Sequence, residues 1–295
     1  MKAQGLSLSR QAFLNDSLVM TKPRITLLAL ITAVAGMKMA PGDLSLSKIV
    51  FTLLGISLLV AGASSLNMFL ERDVDSLMER TRSRPLPDKR LSPEYGLGLG
   101  SVLTGLAIPI LFYGVNALTG WIGVGAMVFY VLVYTPLKKR SWISLWVGAV
   151  PGAAPPLLGW AAVSGRLDPP AWILFATMFI WQIPHFLAIG TFRKEEYFRA
   201  GFKIFPTHAS PWYIKGQTVV LSALLLPLSL SLYFLGYAGL FYFSTAVVLG
   251  LSLLAVTLYG LRNADPVAWG KRVFFTSLIY LTGLFGALFA DGGPQ

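Results

Sequence analysis

The stretch FTLLGISLLVAGASSLNMFLERDVDSLMERTRSRPL, residues 51–86, changes character at its midpoint. Residues 51–66 carry no charge, whereas the 20 residues from Asn67 to Leu86 hold four acids and four arginines. An apolar run of roughly 20 residues is what a helix needs to cross ~30 Å of hydrocarbon. The first half therefore predicts a membrane span over about 48–70, and the second half predicts a charged loop where the chain leaves the bilayer.

Read outward from there, the pattern repeats. The 295 residues are 55% hydrophobic and only 13% charged, with a mean hydropathy of +0.66; soluble domains carry about a quarter charged residues. Eight further apolar blocks fall at roughly 22–40, 95–114, 117–135, 142–162, 171–190, 214–236, 238–261 and 272–290. The expected architecture is all-α: one polytopic bundle of about nine transmembrane helices forming a single domain over 1–295. No repeat, low-complexity tract or extramembrane domain interrupts it. No basic segment followed by a short apolar core and a cleavage site opens the sequence, so no removable signal peptide is expected. The absence of cysteine excludes disulfides, thiolate metal sites and cysteine nucleophiles.

The loops divide into two kinds. APGDLSLS, GVNA, SGRLDPP and GYAG are short turns, whereas 71–94 and 191–213 are long and charged. With residues 1–20 placed in the cytoplasm, all of the 24 Lys and Arg except Lys38, Lys48 and Arg166 fall on the cytoplasmic side. That is the asymmetry of the positive-inside rule, and it sends the C-terminus outside. The span interiors hold almost no ionisable groups, unlike those of ion transporters. Chemistry is therefore expected at the cytoplasmic mouth of the bundle, in a cell inner membrane. The formal net charge of +11 fits anionic lipid or an anionic substrate, and topology alone also accounts for it.

Asn67, Glu71 and Asp75 are spaced i, i+4, i+8, which puts all three on one helix face. Like charges at i, i+4 repel, more so near a membrane, and topology does not ask for acids. A divalent cation removes the repulsion; Mg²⁺ characteristically takes one or two carboxylates plus phosphate oxygens. The deepest rung is the neutral amide, where a third carboxylate would cost most to desolvate. Asp73 and Glu79 point off this face. Arg80, Arg82 and Arg84 follow, and arginine pairs with phosphate in a two-pronged geometry. Acids followed by arginines suit a magnesium-bound diphosphate; for the basic residues alone, an orientation signal is an equal explanation.

The second charged loop begins at WQIPHFLAIGTFRKEEYFRAGFKIFP, 181–206. Pro184 is expected to kink its span. A lone histidine in an apolar run, as His185 is, is more often a hydrogen-bonded core residue than a ligand. Glu195 and Glu196 lie among Arg193, Lys194, Arg199 and Lys203, either solvated or as a second wall of a metal–diphosphate site. Arg24, Lys138, Lys139 and Arg140 lie on the same side. GAAPPLLGW, 152–160, reads as a packing and kink element, and Phe69, Trp181 and Phe186 as core or cavity lining.

NMFLERDVDSLMERTRSRPLP resembles the first aspartate-rich signature of the UbiA-type intramembrane prenyltransferases. MTKPRITLLALIT (20–32), YTPLKKRSWISLWVGAVPGAAPPLLGW (134–160) and WQIPHF (181–186) are similar to further stretches of that family, in its haem-farnesylating branch. In the second loop Glu196–Tyr197, Ala200–Gly201 and Pro206 keep the branch's frame, with glutamate where aspartate is usual; Lys203 and Phe205 depart from it.

The resemblance implies transfer of the farnesyl group of farnesyl diphosphate to a vinyl group of haem B, giving haem O and diphosphate. It implies that Asn67, Glu71 and Asp75 hold one Mg²⁺ and that Glu196, with Glu195, helps hold another. Arg80 and Arg84 then clamp the phosphates, Arg24 and Lys138 assist, and His185 and Tyr197 contact substrate. Haem B enters as substrate rather than resident cofactor, and downstream haem A synthase or terminal-oxidase assembly is the implied partner. The alternatives are a sister prenyltransferase acting on an aromatic acceptor such as 4-hydroxybenzoate, and a multi-span transporter or lipid carrier. A phosphatidyl-alcohol transferase would need a D-G-x-x-A-R signature, which is absent.

Overall fold

A computed structural model describes residues 9–201, 203, 209–262 and 265–293. Phe205, Pro206 and His208 lie outside the described residues. Among the described residues eleven helices follow in order: α1 (Arg10–Met20), α2 (Pro23–Met39), α3 (Leu46–Asp75), α4 (Pro93–Gly114), α5 (Ala117–Leu137), α6 (Ser144–Ser164), α7 (Pro169–Phe192), α8 (Lys194–Arg199), α9 (Pro211–Phe234), α10 (Leu240–Tyr259) and α11 (Pro266–Asp291). Among the described residues there is no strand, only an isolated bridge between Ala238 and Gly292.

Seven helices, α3, α4, α5, α7, α9, α10 and α11, are long and apolar enough to cross a membrane. The α1–α2 pair, bent by 46° at Thr21–Lys22, makes an eighth if it is one span. All nine expected segments fall on helices, but the count of nine is not reproduced. The difference lies in α6, whose Pro151, Pro155 and Pro156 interrupt an otherwise apolar run. Instead of facing lipid, α6 occupies the middle of the bundle, against α2, α3, α5 and α7. From Ala153 to Val163 every residue of it is buried.

Small residues make that position possible. A Cβ on Gly159 would sit 1.9 Å from the carbonyl oxygen of Ala33, and one on Gly36 would sit 2.1 Å from that of Pro156. The α2 and α6 backbones thus touch directly, as small-residue crossings in membranes allow. No rotamer relieves a clash between Cβ and backbone. Gly159→Val is expected to destabilise the fold by roughly 1–3 kcal/mol or more, seen as a lowered Tm of the full-length protein in detergent. Gly125→Ala, with open space around its Cβ, should leave the Tm unchanged.

The helix ends are capped locally: Ser92, Asn116, Ser210 and Asp265 accept backbone N–H bonds at the starts of α4, α5, α9 and α11. At the end of the bundle away from Asp75, Lys38 bonds the Phe289 carbonyl in the last turn of α11, where a cation complements the helix dipole. α7 continues as one assigned helix through Pro184.

Candidate active site

α3 spans 30 residues, about 45 Å at 1.5 Å per residue, so it runs past the expected edge of its span. The ladder therefore belongs to the helix itself. The first loop starts at Ser76 rather than 71, and Asn67, Glu71 and Asp75 are 2%, 4% and 1% exposed. Asp73 is exposed, as its phase on the helix requires, and Glu79 is exposed in the loop beyond α3.

Each rung is held by a cation. Lys22 donates to Asn67 Oδ1 at 3.0 Å. Lys138 Nζ donates to both carboxylate oxygens of Glu71, at 2.8 and 3.2 Å, and lies 4.6 Å from the centre of the Tyr134 ring. Arg84 donates to Asp75 Oδ2 at 2.7 Å. Beyond the end of α5, burial acts to lower the Lys138 pKa, but Tyr134 and Glu71 outweigh it and the pKa is raised.

Local structure explains these placements. Lys22 sits in the break between α1 and α2 at φ 48, the left-handed region; Pro23 then starts α2, leaving the lysine aimed back at α3. Near its end α5 passes into a π-helical turn over Phe129–Tyr134. Such turns are rare and concentrate at functional sites. Here the turn is followed by Thr135, which accepts from Asn67 Nδ2 at 3.0 Å and donates to the Tyr130 carbonyl at 2.8 Å. The arginine loop is anchored from both ends. Thr81 Oγ1 donates to the Asp75 carbonyl at 2.8 Å, and Arg90 forks onto Asp16 of α1 at 2.9 and 3.0 Å while also bonding the Ser83 carbonyl.

The ladder and the cations that hold it line one cavity of about 230 Å³, which takes in Asn67, Glu71, Asp75, Arg80, Arg84 and Lys138 of the expected site, and Tyr197 from the second loop. The two loops meet there: Tyr197 and Ala200 pack on Val74 and Met78, and Lys203 N donates to the Lys138 carbonyl at 3.1 Å. Lys22, Tyr130 and Tyr134 are further lining residues. Lys22 is the cation the sequence reading overlooked in favour of Arg24, which is exposed and not among the lining residues.

Three other expectations land elsewhere. Glu196 pairs with Arg193 at 2.9 Å and, with Glu195, lines a separate cavity. His185 stacks between Trp181 and Phe274, both at 4.8 Å, and its Nδ1 shares a 2.8 Å hydrogen bond with Ser277 Oγ. It is a satisfied core histidine outside the 230 Å³ cavity. Of the aromatic candidates Phe186 lines that cavity, while Phe69 packs by Met20 and Met68. Among the described residues no three His, Cys, Asp or Glu side chains cluster as a ready metal cage. Two buried carboxylates and an amide nonetheless fit Mg²⁺, which leaves much of its shell to phosphate and water.

Known proteins resemble the chain in sequence and in fold. Residues 29–279 match the UbiA prenyltransferase family. The chain is 43% identical to a protoheme IX farnesyltransferase of Myxococcus xanthus over 295 residues, all of both chains. It is 50% identical to one of Sorangium cellulosum over 242 residues, covering 82% of this chain and 86% of that one. A solved digeranylgeranylglyceryl phosphate synthase superposes with a TM-score of 0.81 at 16% identity, covering 94% and 97% of the two chains. A UbiA homologue from Archaeoglobus fulgidus bound to GPP and Mg²⁺ superposes with a TM-score of 0.64 at 19% identity, covering 93% and 99%. The family match over most of the chain and the full-length identity agree with the helical fold, and the chain belongs to the UbiA prenyltransferase family.

Proposed function

We propose that the chain transfers the farnesyl group of farnesyl diphosphate to a vinyl group of haem B, releasing diphosphate and forming haem O, from the cytoplasmic face of a bacterial inner membrane with its N-terminus inside. The observation that carries the reaction type is the buried Asn67–Glu71–Asp75 face opening onto the same cavity as Lys22, Arg80, Arg84 and Lys138. Full-length identity to protoheme IX farnesyltransferases supports the choice of substrates.

Asn67, Glu71 and Asp75 would hold Mg²⁺. When bound, that ion supplies a Lewis acid that neutralises charge on the departing diphosphate. Arg80 and Arg84 take the phosphate oxygens, Arg84 exchanging one anion, Asp75, for another. Lys22 and Lys138 add positive charge where negative charge grows as the allylic C–O bond breaks and its electron pair leaves with diphosphate. Tyr130, Tyr134 and Phe186 line the apolar side of the cavity and keep water from the allylic cation before the vinyl carbon attacks it. Addition to the vinyl group leaves a cation on the macrocycle's side chain; water then adds there and loses one proton to solvent, giving the hydroxyl of the hydroxyethylfarnesyl product. Glu196 becomes a metal ligand only by leaving Arg193. Haem A synthase or a terminal-oxidase assembly is the expected recipient of the product.

Membranes containing the protein, given haem B, farnesyl diphosphate and Mg²⁺, should yield an extracted haem heavier by one farnesyl group and one hydroxyl group, and a chelator should stop its formation. An unchanged haem mass with prenylation of 4-hydroxybenzoate instead would assign the site to an aromatic acceptor.

A further inference from the structure

We propose that a second cavity, about 630 Å³ and built from the ends of α7, α8 and α11, anchors the two carboxylates on the edge of the acceptor macrocycle. This rests on the reading of the acceptor as haem B. The cavity is lined by four cations, Arg193, Lys194, Arg199 and Lys271, against two acids, Glu195 and Glu196. Arg193 and Glu196 pair with each other. Among the described residues Lys194, Arg199 and Lys271 enter no ion pair. A concave site with surplus positive charge concentrates a multiply charged anion, and a dicarboxylate edge offers two acceptors for three uncommitted donors.

The placement relative to the first cavity favours this ligand. α8 divides the two: Tyr197 lines the first, while Lys194, Glu195, Glu196 and Arg199 line the second. α7 divides likewise, with Phe186 and Ile189 on the first and Thr191 and Phe192 on the second. Phe192 of the second cavity lies edge-on to Phe274 at 5.9 Å, and Phe274 stacks on His185 at 4.8 Å, so aromatic rings flank that cavity's inner side. A flat apolar body with its charges on one edge can place that edge in the second cavity and direct the opposite edge toward the prenyl donor. A diphosphate held by the ladder has no need of the second cavity, so the two cavities sort the two substrates by their head groups.

The test uses the full-length protein in phosphatidylcholine nanodiscs, titrated with haem B and with its dimethyl ester, which lacks both charges. The wild type should bind haem B about tenfold or more tightly than the ester. Arg199→Glu with Lys271→Glu should bind the two alike and raise the haem KM, with the KM for farnesyl diphosphate unchanged. Lys271→Arg with Arg199→Lys should restore discrimination, which a merely structural role would not require. Equal wild-type affinity for acid and ester, or discrimination surviving charge reversal, overturns the anchor. So does unchanged discrimination accompanied by loss of co-purifying phosphatidylglycerol, which assigns the cavity to a lipid head group. If haem B is farnesylated with the same haem KM in the charge-reversed protein, the anchor alone falls. If the wild type does not farnesylate haem at all, the proposed function falls with it.

Discussion

Asp75→Ala should lower kcat by at least about 100-fold, the scale on which removal of one preorganised electrostatic group acts, while the protein still inserts and folds. Asp75 is 1% exposed and pairs with Arg84 at 2.7 Å, and its own carbonyl is fixed by Thr81. Truncation removes one metal carboxylate and leaves Arg84 without its resting anion. Arg84 is 23% exposed at the rim, so its charge reaches water and the structural loss stays modest. Asp75→Asn separates chemistry from shape, keeping the volume and a bond to Arg84 through the amide oxygen but losing the charge. Both variants should show wild-type-like melting without Mg²⁺ and an Mg²⁺ requirement shifted to much higher concentration. Asn67→Ala should likewise abolish turnover. Near-wild-type kcat in both Asp75→Ala and Asn67→Ala would remove the metal ladder from the mechanism.

What the sequence made legible follows the range of the interactions involved. Span positions and the shared face of Asn67, Glu71 and Asp75 depend on helical period and length, which are local, and the bundle reproduces them. Hydropathy reports where lipid ends, whereas α3 continues to Asp75 into protein that buries its charged turns. Lys22 and Arg24 lie in one basic turn, and only Lys22 lines the cavity. What separates them is the left-handed backbone at residue 22 ahead of Pro23, a geometry no periodicity encodes. The π-helical turn that positions Tyr134 and Thr135 is equally silent, since FYVLVY reads as ordinary span. Glu196 shows the remaining limit: several cations lie near it in sequence, and its choice of Arg193 decides which cavity it faces. His185 is buried, its Nδ1 sharing a hydrogen bond with Ser277 on α11, a partner distant in sequence that no local pattern reveals.

Lys138→Met should cost stability and activity together, and Mg²⁺ should return part of the stability. The Glu71 carboxylate is 5% exposed and takes both its ammonium contacts from Lys138, itself 19% exposed. Breaking a fully buried pair by removing one partner costs roughly 3–5 kcal/mol, because the other charge is left uncompensated; the partial exposure of Lys138 puts the expected loss at the lower end. In the wild type a cation arriving at Glu71 must compete with the ammonium already there. In Lys138→Met it finds an unpaired carboxylate at i−4 from Asp75, so binding to the folded state is more favourable and stabilises it by mass action. The Tm of the variant without Mg²⁺ should fall below that of the wild type, and added Mg²⁺ should raise it by more than it raises the wild type's. Turnover should stay low at any Mg²⁺ concentration, since the proposed mechanism also uses the lost ammonium against the leaving diphosphate. A variant whose Tm is depressed but indifferent to Mg²⁺ would mean that Glu71 is a partner for lysine alone, and that the metal rests on Asn67 and Asp75 without it.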